Sequence, residues 1–113
     1  TNHPMNLPPF PQDTSLSKLQ QYVFDICEAR GWNTATNLET FLLFTEEVGE
    51  LAKAIRKHDA LFSKEIPAEE AKQALSEEFA DVFSYLLDLA NRFDIDMLEA
   101  FRDKENKNAG REW

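Results

Sequence analysis

The chain has 113 residues, a net charge of −9 and one cysteine, which predicts one domain that buries about two-thirds of its unfolded surface, near the size at which self-association supplements a core. A homodimer or homotetramer is therefore expected, and the negative charge argues against a DNA or RNA polymer as partner, because phosphate backbones require clustered Lys and Arg. Cys27 alone excludes an intrachain disulfide and a cysteine-cluster zinc site and fits a reducing cytoplasmic compartment; with no bilayer-length apolar run and no signal-peptide pattern, a soluble protein without a membrane partner is expected.

Residues 1–14 hold Pro4, Pro8, Pro9 and Pro11 and read as an extended arm ahead of a single helical domain over 15–113. Leu16, Leu19, Tyr22, Val23, Ile26 and Ala29 recur at helical spacing, and Gly31 offers a stop, so a first helix is predicted from Leu16 to Arg30. Cys27 flanks that stripe as a small half-buried residue with no feature of a reactive thiol. Thr36 and Glu39 match a capping box that opens a second helix over 37–58, with its main stripe at Phe41, Phe44, Thr45, Val48, Leu51, Ala52 and Ile55. Pro67, Glu69 and Glu70 suit the first turn of a third helix over 68–92, with its stripe at Leu75, Phe79, Val82, Phe83, Leu86, Leu89, Ala90 and Phe93. Asp94 and Asp96 offer caps for a fourth helix from Met97, apolar at Met97, Leu98 and Phe101 and then basic at Arg102, Lys104, Lys107 and Arg111. No strand pattern occurs, so the fold is predicted to be all-α: a four-helix-bundle-like architecture with two long antiparallel helices.

Those two helices share one pattern. Leu43, Glu47, Glu50 and Ala54 recur at the same spacing as Ala74, Glu78, Asp81 and Tyr85, which places two carboxylates side by side on each helix between less polar neighbours. Either acidic pair alone is commonplace on a solvated face; two pairs with matching brackets suggest one divided site. Crowded like charges beside apolar residues call for a cation. Oxygen-only ligands favour Mg²⁺ or Mn²⁺, and no Glu-x-x-His motif is present to suggest a di-iron centre. Glu46 and Glu77, each one residue ahead of its pair, would stand behind the ligands, and His58 reads as a helix-end residue facing the C-terminal dipole.

Glu47-Val-Gly-Glu50, followed after 27 residues by Glu78-Phe-Ala-Asp81, resembles the E-x-x-E and E-x-x-D signature of the MazG-like, all-α nucleoside triphosphate pyrophosphohydrolases. The tail Lys104-x-x-Lys107-Asn108-x-x-Arg111-x-Trp113 resembles that family's basic ending. The resemblance implies Mg²⁺-dependent hydrolysis of a nucleoside triphosphate to a monophosphate and pyrophosphate, a house-cleaning activity on the nucleotide pool. It implies Glu47, Glu50, Glu78 and Asp81 as metal ligands and catalytic residues, and sites completed by a second subunit. Lys104, Lys107 and Arg111 would neutralise phosphate charge, with Asn108 at the sugar or base. Trp32 and Tyr85 match aromatics of the nucleotide pocket in the dCTP-hydrolysing branch, whereas Lys57 stands where that branch has a second tryptophan. A phosphoribosyl-ATP pyrophosphohydrolase-like enzyme keeps the same fold with another substrate. A non-catalytic helical interaction module is the reading from a different class.

Overall fold

The computed structural model describes residues 6–59 and 66–110. They form four α-helices and a short 3₁₀ turn and contain no strand: α1 Leu16–Arg30, the 3₁₀ turn Trp32–Thr34, α2 Asn37–His58, α3 Ala68–Arg92 and α4 Met97–Ala109. The helix bounds coincide with those expected from periodicity and capping. Arg111, Trp113 and the first five residues lie outside the described residues.

The caps show why the helices begin and end where they do. The Ser15 hydroxyl accepts from the Lys18 N–H to open α1, and Gly31, at φ 71°, closes it with its own N–H donating to the Cys27 and Glu28 carbonyls. That left-handed conformation is one that glycine adopts without a Cβ penalty. Thr36 and Glu39 form the reciprocal capping box of α2, each side chain accepting from the other's backbone N–H at 3.1 and 3.0 Å. Asp96 caps α4 by accepting from the Glu99 N–H at 2.9 Å. Asp94 does otherwise than expected. It sits at φ 55°, and the bonds Ile95 N–H to Ala90 C=O and Asp94 N–H to Asn91 C=O make it the left-handed residue of a Schellman ending to α3, not a cap for α4.

The chain divides into two compact units, residues 36–86 and the residues on either side of that stretch. In the second of these the core is built from Ile26, Cys27, Leu87 and Ala90, with Leu87 only 1% exposed. The buried Gln20 ties α1 to the start of α4 there. Its amide donates to the Ile95 carbonyl at 2.7 Å, its Oε1 accepts from the Met97 N–H at 2.9 Å, and its own carbonyl accepts from the Asn91 amide at 3.1 Å. Met97 opens α4, so this contact fills one of the backbone donors that a helix start leaves without an intrahelical partner. Ahead of α1, residues 6–15 form neither helix nor strand, and Phe10 stands edge-to-face on Tyr22 at a centroid distance of 5.3 Å.

Within residues 36–86, α2 and the N-terminal part of α3 pack against each other as a hairpin whose buried residues are Thr40, Ala54 and Ala71. This corrects the expected stripes. Phe41, Thr45, Val48, Ala52 and Ile55 on α2, and Phe79, Phe83 and Leu86 on α3, are exposed, and so is Phe93 beyond the end of α3. Small side chains line the seam because they let two helix backbones approach closely, and the larger apolar residues are displaced to the flank. Only Phe44 and Leu51, with Leu75 and Val82 opposite, are half-buried members of both the expected stripes and the hairpin.

Candidate metal centre

The seam that buries Thr40 and Ala54 also carries Glu47, seven residues from each and so on the same helical face. Glu78 holds the corresponding place on α3, seven residues beyond Ala71. Both carboxylates are therefore drawn half-buried into the contact. Glu47, Glu78 and Asp81 each bring an oxygen into a group lying within 4.8 Å of one another. Oxygens sharing one octahedral cation with bonds near 2.1 Å stand about 3 Å apart when adjacent and about 4 Å apart when opposed. These three side chains are the ones that would hold such an ion.

Electrostatics point the same way. Burial, first, and then a hydrogen bond with Glu78 and the charges of Asp81, Glu78 and Glu50 push the Glu47 carboxyl above its ordinary 4.5. When protonated, Glu47 donates to Glu78. The second oxygen of Glu78, Oε2, is buried and has no hydrogen-bond partner. A carboxylate oxygen cut off from water without a donor is costly, and a divalent cation would satisfy it while cancelling the repulsion. The donor set fits a hard, oxygen-preferring cation.

The other expected site residues fall as follows. Glu50 is exposed and outside the close group, although its charge reaches Glu47. Glu46 and Glu77 are exposed, and Glu77 accepts from the Gln73 amide at 3.3 Å. Tyr85 is half-buried on α3. Lys104 and Lys107 are exposed on α4, and Asn108, half-buried, leaves its Oδ1 buried without a partner. His58 ends α2 as expected, its Nδ1 3.0 Å from the Asp59 carboxylate.

Trp32 is 57% exposed, with the Arg30 guanidinium 4.8 Å from its ring centroid, a cation–π contact on an otherwise accessible aromatic. Arg92 was not singled out from the sequence, yet it holds this turn. Its guanidinium donates to the Ala35 carbonyl at 2.6 Å and the Trp32 carbonyl at 3.4 Å while pairing with Asp88 at 3.5 Å. The only sequence signal was a basic residue in the last turn of α3, a common placement that says nothing of a distant loop. Cys27 lies beside this pair, its thiol pushed up to about 11 by burial and then by the Asp88 charge.

Three carboxylates converging from two packed helices make a candidate divalent-metal centre of the all-helical kind. The chain belongs to the family described as the MazG nucleotide pyrophosphohydrolase domain, which matches residues 35–112 and so includes both acidic pairs. It is also 30% identical over 99 residues to the uncharacterized protein YvdC of Bacillus subtilis (strain 168), a match covering 81% of this chain and 93% of that one. No solved structure matches.

Proposed function

We propose that the chain is a cytoplasmic, Mg²⁺-dependent nucleoside triphosphate pyrophosphohydrolase that cleaves a (deoxy)nucleoside triphosphate to the monophosphate and pyrophosphate, removing unwanted nucleotides. The observation that carries this reading is the convergence of Glu47, Glu78 and Asp81 inside the segment matched by the MazG nucleotide pyrophosphohydrolase family. Mn²⁺ would serve the same oxygen ligands.

In this reading Glu47, Glu78 and Asp81, joined by Glu50, hold the metal. When bound, the metal polarises phosphoryl oxygens and lowers the pKa of bound water. One of these carboxylates would also orient a water for in-line attack and accept its proton. Lys104, Lys107 and Arg111 neutralise the phosphates, Asn108 meets the sugar or base, and Trp32 and Tyr85 supply flat surfaces for the base. Arg92, by fixing the carbonyls of the Trp32 turn, sets where that ring stands.

A screen of pyrophosphate release with Mg²⁺ across standard and modified nucleoside triphosphates, with phosphoribosyl-ATP included, tests the proposal. Release from one or more nucleoside triphosphates is expected, and Asp81→Ala should abolish it. Release from none, or full activity in a folded Asp81→Ala protein, overturns it.

A further inference from the structure

The turn that carries Trp32 is not held by its own packing. Trp32, Asn33 and Thr34 are all exposed, and the turn opens on Gly31 with no side-chain cap. Between Asn33 and the side chains of Phe24, Cys27, Asp88, Asn91 and Arg92 there is a cavity of about 90 Å³, so the turn does not rest on a filled core there. Hydrogen bonds set its place instead. Arg92 reaches it from the last turn of α3, donating from Nη1 to the Ala35 carbonyl at 2.6 Å and from Nη2 to the Trp32 carbonyl at 3.4 Å. These carbonyls stand at the start of the turn and just past its end, and a planar guanidinium can span them where a single ammonium cannot. Asp88, one helical turn back on α3, lies 3.5 Å from the Arg92 Nε and fixes the remaining side of the fork. The two side chains are only 13% and 16% exposed, so the pair loses less to solvent screening than a surface ion pair does.

A second cation holds the ring. The Arg30 guanidinium lies over the Trp32 ring, 4.8 Å from its centroid, and covers one face. Trp32 is still 57% exposed, which leaves the other face open. An exposed indole tied at its backbone by one guanidinium and at one face by another has little freedom to turn. All of these groups belong to the unit formed by residues 1–35 and 87–113.

We infer that Arg92, Asp88 and Arg30 are positioning residues that hold Trp32 as a one-sided stacking platform for a planar heteroaromatic base, a role that rests on the nucleotide of the proposed function. Setting the ring in advance removes the ordering cost that a mobile side chain adds on binding. Every base has a π-face, and removing a stacking aromatic typically costs about 5- to 150-fold in affinity. The frame therefore contributes affinity to all bases alike, and choice among them falls to groups that meet the base edge. Its bonds involve none of Glu47, Glu78 and Asp81, so its loss is felt in substrate binding and not in the chemical step.

A double-mutant cycle on pyrophosphate release with Mg²⁺ tests this. Arg92→Ala is expected to raise KM about tenfold with kcat within about twofold, and by the same factor for each nucleoside triphosphate that the protein accepts. In a Trp32→Ala background the same substitution should change KM by less than about twofold, because the group it acts through is gone. Arg92→Lys, which meets one carbonyl at a time, should fall between. Arg30→Ala, at an exposed position, should raise KM about threefold and serves if Arg92→Ala fails to fold. A folded Arg92→Ala protein with unchanged KM, or an equal effect with and without Trp32, overturns the inference and leaves the proposed function standing. Metal-free binding separates the two. In a Trp113→Phe protein Trp32 is the one tryptophan left, and dATP, dCTP, dGTP or dTTP added in EDTA should quench its emission. Arg92→Ala should weaken that binding about tenfold. Quenching by none of the four triphosphates overturns the inference, whereas quenching without any pyrophosphate release by the wild-type protein overturns the proposed function alone.

Discussion

Replacing Glu78 by Gln should move stability in opposite directions with and without metal. The three carboxylate oxygens lie within 4.8 Å of one another. At that distance a pair of unit charges repels by about 3.5 kcal/mol at an effective dielectric of 20 and about 0.9 kcal/mol in water. Glu78 takes part in two such pairs, but the exposure of Asp81 and screening by solvent discount the repulsion, so a net relief of about 1 kcal/mol is expected from the neutral amide. For a chain of this length that is a rise of about 4 °C in the metal-free melting temperature at pH 7.5. With Mg²⁺ at ten times its dissociation constant the wild-type protein gains about 1.4 kcal/mol by mass action, and Glu78→Gln should lose most of that gain. Acid supplies an independent check. The Glu47 carboxyl is raised on folding from its ordinary 4.5, so the folded state binds its proton more tightly, and this contribution to stability is complete below pH 4.5 and lost as pH rises through the raised value. The metal-free advantage of Glu78→Gln should therefore shrink near pH 4, where the raised Glu47 carboxyl carries its proton. Differential scanning fluorimetry with EDTA and with Mg²⁺, at both pH values, reads all of this. A metal-free Glu78→Gln protein less stable than wild type, or one with an unchanged Mg²⁺ response, would refute the argument.

Gln20→Ala should cost about 2–3 kcal/mol in urea denaturation, from two lost hydrogen bonds and the stranded Met97 N–H and Ile95 carbonyl; Gln20→Glu should cost at least as much at neutral pH, because it sets a buried carboxylate oxygen against the Ile95 carbonyl. Asp94→Gly should raise the urea midpoint by an amount equivalent to about 0.5 kcal/mol, because φ is 55° there and glycine adopts that region freely. Cys27, with its thiol pushed up to about 11, should react with iodoacetamide at pH 8 at least tenfold more slowly in the folded protein than in urea. Since the folded state favours the neutral thiol, the contribution of Cys27 to stability is intact below the ordinary value of 9.0 and falls as pH rises towards 11, which alkaline unfolding curves would show as a loss relative to Cys27→Ser.

The helices were legible because their signals are local. The Thr36 and Glu39 box, Gly31, the Pro67 entry and the Asp96 cap each act within a turn of the residue they stop or start. What periodicity does not carry is the choice among apolar faces. On α2 the strip with the largest side chains looked like the core, yet Thr40 and Ala54 took the seam because close helix approach favours small residues, and Phe41, Val48 and Ile55 were left outside. Glu47, seven residues from both Thr40 and Ala54, stands half-buried in the seam itself. Gln20 and Arg92 escaped for a related reason: each bonds to backbone groups 57 to 77 positions away, and no local pattern records such a partner. Both acidic pairs were visible, but that Asp81 joins Glu47 and Glu78 more closely than Glu50 does is a matter of side-chain geometry.

The seam explains why a duplicated pattern can hold charge that neither helix would tolerate alone. Thr40, Ala54 and Ala71 are small enough to bring two backbones together, and the helical repeat then places Glu47 and Glu78 in the contact they create. Closeness strips water from Glu78 Oε2 and raises the proton affinity of Glu47, both unfavourable for a merely structural pair. A helix pair selected for stability would fill these positions with Leu or Ala at no electrostatic cost. The two halves also differ where their brackets end, at Ala54 on one helix and Tyr85 on the other. The alanine is buried, whereas Tyr85 is half-buried and stands one helical turn beyond Asp81 on α3.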